Sequence, residues 1–377
     1  MKKTKKLLLI VLLVTAFVLI TPVVVAEEPE REGALGLVRS KGDFPRLDVS
    51  RLTVREESLP SKVDLSTGMP PAGRQGSQAS CVGWALGYYY KTYQEQRERG
   101  WDVSSAEHQF SPAWIYNQRN TSQCERDTGM SFYDGLQILK QEGAATLASF
   151  PYDSRDTCTQ PPSSLHSEAR AYRIDSFRNV FAGSGTVNLN VLKTLLANGQ
   201  PIAVGLPVYT SFYRVTSSDP LVEQHQQGEA FCGGHAMLIV GYDDAMGGFK
   251  TANSWGQTWG RDGYCYLSYD FVKHDTWEAW TMEDYVAPAA TFHGAVTVDD
   301  EAVEGVEIKA MIDGTPYATT TTEIRNGAAR YSIRIAMDDP NTSAREGGSE
   351  GDVVSFKVGT TLAEETAVWD RGESIRL

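Results

Sequence analysis

Hydrophobic positions along this chain change period twice. Between 81 and about 99, Trp84, Leu86, Tyr88 and Tyr89 supply the apolar positions of a helix that Ser80 can cap and Gly100 can stop. A shorter helix is predicted over 135–142, ending at Gly143. A third, over 188–198, has Leu189, Leu192, Leu195 and Leu196 at helical spacing and Gly199 as its stop. After 200 the pattern becomes extended. Residues 201–206 alternate, 236–240 form the continuous apolar run of a buried strand, and 249–253 and 264–268 follow between Gly-rich turns. Helices first and strands later predict an α+β arrangement of two segregated halves, with the cleft between them as the natural place for a site.

The second change comes after Val286-Ala287-Pro288-Ala289-Ala290, a joint of small residues. Short runs rich in Val, Ile, Thr and Tyr follow at 295–298, 306–312, 317–321, 330–335, 353–358 and 366–369, with Asp313-Gly314 and Gly347-Gly348 as turns. They predict a small antiparallel β-sandwich over 287–377. Tyr317 and Trp369 are candidate contacts there, although single aromatics in strands are more often core. Such a module suits substrate docking or attachment to a cell-surface polymer or protein, which its fold alone does not decide.

At the other end, Lys2, Lys3, Lys5 and Lys6 precede an uncharged apolar run from Leu7 to Ile20, and Val24-Val25-Ala26 offers a cleavage site before Glu27. Residues 1–26 are therefore a signal peptide, or else an N-terminal anchor that keeps the chain on a membrane. In either case the remainder is expected to be secreted or extracellular. Residues 27–60, charged and weakly periodic, read as a leader or linker, and 61–286 as the large domain.

Composition narrows the function classes. The chain has 377 residues, 41% hydrophobic and 22% charged, with 35 basic against 48 acidic side chains for a net charge of −13. This is ordinary globular composition for more than one domain, and it lacks the basic excess that nucleic-acid binding requires. Residues 291–377 hold 16 acidic and 8 basic side chains, so they carry −8 of that charge. No Cys-x-x-Cys occurs and the histidines are scattered, so neither a metal nor another cofactor is expected. Five cysteines, Cys81, Cys124, Cys158, Cys232 and Cys265, leave one unpaired in an exported protein. Asn120-Thr121-Ser122 and Asn341-Thr342-Ser343 match the glycosylation triplet.

Three blocks carry chemistry. In Arg74-Gln75-Gly76-Ser77-Gln78-Ala79-Ser80-Cys81 a cysteine opens a predicted helix, where unpaired N–H groups favour a thiolate and can hold an oxyanion. Gln75 could add a side-chain donor. Taken alone, Cys81 reads equally as a buried structural residue. In Gly233-Gly234-His235-Ala236 a histidine heads the buried strand, as a base for the thiol would need. In Asn253-Ser254-Trp255-Gly256 an amide can orient an imidazole while the adjacent indole covers it.

Together, in this order, the blocks resemble the papain family of cysteine peptidases, with His235 lying 154 and Asn253 172 residues after Cys81. The resemblance covers roughly 59–285. It implies a two-lobed papain-like fold, a helical lobe carrying Cys81 and a β-barrel-like lobe carrying His235 and Asn253. It also implies polypeptide substrates, Gln75 as oxyanion donor and Trp255 as a shield. Gly129, Met130 and Gly234 would face substrate backbone. Ser131, Phe132, Gly205 and Ala236 would line the pocket for the residue two before the scissile bond, favouring an apolar side chain. Gln78 stands where a disulfide cysteine is common, Val82 replaces an aromatic, and Met130 replaces a glycine. The 34 residues of 27–60 are too few for the family's long inhibitory leader, which leaves a short blocking segment or no latency. With Cys81 as the thiol, Cys124 pairs with Cys158 and Cys232 with Cys265, unless all four are reduced and buried. The expected activity is peptide-bond hydrolysis through a Cys81 thioester. The alternatives are a vestigial surface-binding or adhesion protein and a Cys-dependent acyl transferase.

Overall fold

The computed structural model describes residues 33–52, 59–119, 122, 124–182, 187–285, 288–298, 300–338 and 345–377. The 1–26 segment and both triplet asparagines lie outside them. No helix among the described residues is long and apolar enough to cross a membrane.

The first long helix, α1, is continuous but not uniform. It starts as an α-turn at Cys81–Gly83, widens to a π-helix over Trp84–Lys91, and returns to α over Thr92–Arg99, where Gly100 stops it at φ +68°. The π stretch is buried on every side, so no amphipathic stripe marked it in the sequence. Ser80 does not cap α1 as expected. Its hydroxyl lies 2.8 Å from the Tyr152 hydroxyl instead. Buried Lys91 reaches Glu95 at 2.6 Å and also Asp284, anchoring α1 to the sheet. Helices α2 (Pro112–Tyr116), α3 (Phe132–Gln141), α4 (Ser163–Ala169), α5 (Leu189–Ala197) and α6 (Tyr269–His274) complete the helical set used here. The other two predicted stops, Gly143 and Gly199, hold as Gly100 does, both at positive φ.

The strands of the large domain are β1 (Lys62–Asp64), β2 (Ile174–Ala182), β3 (Ile202–Tyr209), β4 (Leu221–Val222), β5 (Phe231–Asp243), β6 (Gly248–Ala252), β7 (Tyr264–Ser268) and β8 (Glu278–Asp284). They form one sheet in the order β2-β8-β3-β5-β6-β7-β4, with β1 on β5. Periodicity found the central strands. It missed β2 and β8, whose polar positions obscure the pattern. One apolar cluster gathers α1, α2 and α3 with Ala236, Leu238 and Trp280. A second gathers α5 with β3, β5, β6 and β7.

Beyond them, β9 (Ala289–Val296), β10 (Glu307–Ile312), β11 (Thr315–Thr321), β12 (Glu323–Arg325), β13 (Ala328–Ala336), β14 (Val353–Val358), β15 (Thr361–Val368) and β16 (Ser374–Arg376) build two four-stranded sheets, β11-β10-β14-β15 and β12-β13-β9-β16. Their inward residues alternate cleanly: Ala329, Tyr331, Ile333 and Ile335 on β13, and Ile308, Ala310 and Ile312 on β10. The pairing is antiparallel except that the terminal β16 lies parallel to β9. Trp369 is fully buried, its indole donating to the Ile335 carbonyl at 3.0 Å, so it is core and not a contact residue.

One predicted disulfide is present and one is not. Cys124 and Cys158 are bonded. Cys232 and Cys265 are both free, the first exposed at the head of β5, the second buried in β7. Strand β6 lies between β5 and β7. Two strand spacings of roughly 4.8 Å keep the cysteines beyond bonding range.

Candidate active site

Cys81 opens α1 and is fully buried. Its thiol is met by backbone N–H groups of Ala236, Gly36, Val82 and Cys81 itself. Burial outweighs them and pushes the thiol up to about 11. The Ala236 contact brings β5 against the helix terminus, so the block containing His235 does meet the block containing Cys81.

His235 is likewise fully buried, and burial pulls it down to about 4, opposed by its hydrogen bond to Asn253. That bond fixes the tautomer. Asn253 Oδ1 receives the Ser254 N–H at 2.8 Å, which identifies it as the oxygen, and it lies 2.8 Å from His235 Nε2. Nε2 therefore carries the proton, and Nδ1, which has no hydrogen-bond partner among the described residues, presents a bare lone pair. Trp255 lies over this pair, its ring 4.9 Å from the imidazole, and is backed by Tyr213 and Trp259.

Gln75 is fully buried and held on both sides of its amide. Ser254 Oγ donates to Oε1 at 2.6 Å, while Nε2 donates to the Gln78 carbonyl at 2.8 Å and to the Ala34 carbonyl at 3.2 Å. Gln78, standing where a bridge was absent, ties the neighbouring loop by donating to the Asp156 carbonyl at 2.8 Å. Asp127, which the sequence did not single out, accepts from the Ala79 N–H at 2.9 Å and from the Tyr116 hydroxyl, and so fixes the turn before Cys81.

The leader does not remain apart from the domain. Its residues 33–40, called the strap below, lie across the cleft. Gly33 packs at Tyr213 and Trp255, and Ala34 takes the Gln75 donor. Gly36 passes directly over Cys81. A Cβ on Gly36 would stand 1.9 Å from the Ala79 carbonyl oxygen, and one on Gly129 would stand 2.0 Å from the Gly36 carbonyl. Only glycine fits either place. The Met130 N–H donates to Gly36 and the Val38 N–H donates to Met130, both at 3.0 Å, a parallel bridge centred on Leu37. The Leu37 N–H donates to Gly234 at 3.0 Å. Leu37 packs at Gly205 and Phe132, within the pocket expected for the residue two before the scissile bond. Burying that side chain is worth roughly 1.5–3 kcal/mol. Arg39 lies over the Trp277 ring at 3.9 Å, and the strap continues to Leu47, whose N–H donates to Asn179 at 3.0 Å.

Of the residues expected around substrate, Gly129, Met130, Phe132, Gly205, Gly234 and Ala236 surround the strap or Cys81. Ser131 does not serve as a wall, since its hydroxyl caps α3 by accepting from the Asp134 N–H at 3.1 Å.

Comparison with known proteins identifies the family and the fold. The family model "Papain family cysteine protease" matches residues 65–280. Among curated proteins, the chain is 25% identical over 224 residues to an uncharacterized peptidase C1-like protein of Acanthamoeba polyphaga mimivirus, covering 57% of this chain and 70% of that one. It is 27% identical over 237 residues to a cathepsin B-like protein, CP3, of Giardia intestinalis, covering 60% and 74%. Among solved structures, xylellain, a cysteine protease from Xylella fastidiosa, is similar in fold, with a TM-score of 0.57 at 23% identity over 69% of this chain and 99% of that one. The chain belongs to the papain family of cysteine peptidases.

Proposed function

We propose that this is an exported cysteine endopeptidase held latent by its own strap. The observation that carries the hydrolytic reading is the His235 tautomer, whose bare Nδ1 sits on the strand that contacts the Cys81 thiol. In this reading Nδ1 takes the thiol proton and the sulfur attacks the scissile carbonyl carbon. The Cys81 N–H and Gln75 Nε2 hold the oxyanion, and His235 returns the proton to the leaving amine. Water, activated by His235, then cleaves the thioester. Asn253 holds the imidazole and Trp255 excludes solvent from their hydrogen bond.

Strap polarity supports latency. A substrate running from the pocket toward the sulfur would rise in residue number, whereas the strap falls from Leu37 to Gly36 to Ala34. It lies backwards and offers no bond in cleavage register. The basic and apolar N-terminal run and the Cys124–Cys158 disulfide support export.

The test is hydrolysis of an unfolded protein by the full chain carrying Gly36→Val, which forces the strap out, with and without Cys81→Ala. Loss of at least about a thousandfold is expected on removing the sulfur. Hydrolysis that persists without Cys81 would overturn the assignment.

A further inference from the structure

Ser80 stands at the N-cap of α1, yet its side chain accepts none of the helix N–H groups. Serines at the same place in α2, α3 and α6 each accept one: Ser111 from Trp114, Ser131 from Asp134 and Ser268 from Phe271. Ser80 is fully buried, and its hydroxyl is turned instead to Tyr152 Oη at 2.8 Å. The direction of that bond follows from a second one. Tyr152 donates its own proton to the Gln75 carbonyl at 2.7 Å, and a carbonyl can only accept. Oη therefore receives from Ser80 Oγ. The Tyr152 ring is set edge-on against Trp84, with centroids 4.9 Å apart. Burial pushes its hydroxyl up to about 12, so the proton stays on it at neutral pH.

These two bonds span the turn that carries both oxyanion donors. Gln75, whose amide would supply one, is held by its own peptide. Its N–H donates to the Ser254 carbonyl at 2.8 Å, and its carbonyl takes the Tyr152 proton. Ser80 directly precedes Cys81, whose N–H would supply the other. One phenol thus ties the two ends of the turn to each other. A second effect falls on the helix end. With the Ser80 hydroxyl drawn away, the Val82 and Cys81 N–H groups remain directed at the sulfur. A capping Ser80 would compete for the Val82 N–H, one of the two donors that an N-cap side chain takes.

We infer that Tyr152 is a positioning residue for the oxyanion hole, acting through Gln75 and Ser80. The inference rests on the peptidase reading above and adds a side chain that the hydrolytic scheme leaves unused. It also accounts for the missing cap on α1. The cap is forgone, and the N–H groups it would have covered stay with the reacting sulfur.

The experiment compares three full chains that all carry Gly36→Val: the parent, the parent with Tyr152→Phe, and the parent with Tyr152→Phe and Ser80→Ala. The substrate is a blocked dipeptide amide with leucine two before the scissile bond. Active sites are counted by mass-resolved labelling of Cys81 with a thiol-directed peptide electrophile, so unfolded chains do not enter kcat. Tyr152→Phe keeps the ring against Trp84 and should lower kcat by at least about tenfold with KM within about threefold. Freed in that variant, Ser80 turns back to cap α1, so adding Ser80→Ala should recover at least about threefold in kcat. A tyrosine that merely supports the fold predicts the opposite sign, since a second deletion would then lower the rate further. An unchanged kcat, a KM that rises as far as kcat falls, or a double variant no faster than Tyr152→Phe alone would each overturn the assignment of Tyr152. A parent that hydrolyses neither the dipeptide amide nor an unfolded protein would defeat the peptidase reading itself, and this inference with it.

Discussion

Cys81 and His235 are both neutral where they lie. Burial raises the thiol from 9.0 to about 11 and lowers the imidazole from 6.5 to about 4. The two shifts act on stability from opposite ends of the pH scale. The folded state holds His235 neutral, so its contribution is complete above 6.5 and is lost as pH falls from there through about 4. The thiol contribution is complete below 9.0 and is lost as pH rises through about 11. Urea unfolding of the Cys81→Ala chain at pH 7 and pH 4.5 should show about 2–3 kcal/mol more acid loss than the same chain with His235→Gln. Equal losses would mean that His235 is not the buried titrating group. These residues were legible in the sequence because their chemistry needs fixed neighbours in chain order: Gln75 ahead of Cys81, small residues ahead of His235, Trp255 after Asn253. Asp127 was not legible, because its meaning depends on which distant turn folds onto it. Cys232 and Cys265 were misread for the same reason, since counting cysteines does not reveal the strand between them.

Among the elements, α1 and the strap depart most from the sequence reading. The π-helical stretch of α1 has the composition of an ordinary buried helix, and nothing in its spacing distinguishes the two. The strap reads as a leader because its contacts are mostly backbone bonds to Met130, Gly234 and Asn179, which no side-chain period records. Its fit nevertheless depends on one missing side chain. Gly36→Val places branched carbon where the Ala79 carbonyl already stands. In the unaltered chain a thiol alkylating agent should modify exposed Cys232 quickly and Cys81 slowly. Gly36→Val should raise the Cys81 rate by roughly 10- to 100-fold, the range set by losing one buried leucine, with Cys232 unchanged as the internal reference. A Cys81 rate that does not move would show that the strap is not what shields it.

At the scale of the whole molecule, three apolar clusters underlie the architecture, two in the peptidase domain and one in the sandwich. The sandwich cluster closes around Phe292, Phe356, Ile333 and Trp369. The alternation of its strands made this part of the fold readable from sequence, apart from the short strands β12 and β16 and most of β9, whose first residues read as part of the joint. Removing 289–377 should leave dipeptide turnover by the Gly36→Val chain within about twofold, as expected for units with separate cores. A larger loss would give the sandwich a part in shaping the cleft.

The strap is a tethered competitor. While chain continuity holds it beside the cleft, it competes at an effective concentration of the order of millimolar, whatever the dilution of the enzyme. One peptide bond broken between the strap and the rest of the domain would turn an intramolecular equilibrium into a bimolecular one. At high dilution the severed strap would dissociate and not return. Because the strap lies backwards, the cleft it fills cannot make that cut in the chain that holds it. The decision to activate then belongs to a second molecule, either another protease or an already opened copy of this one.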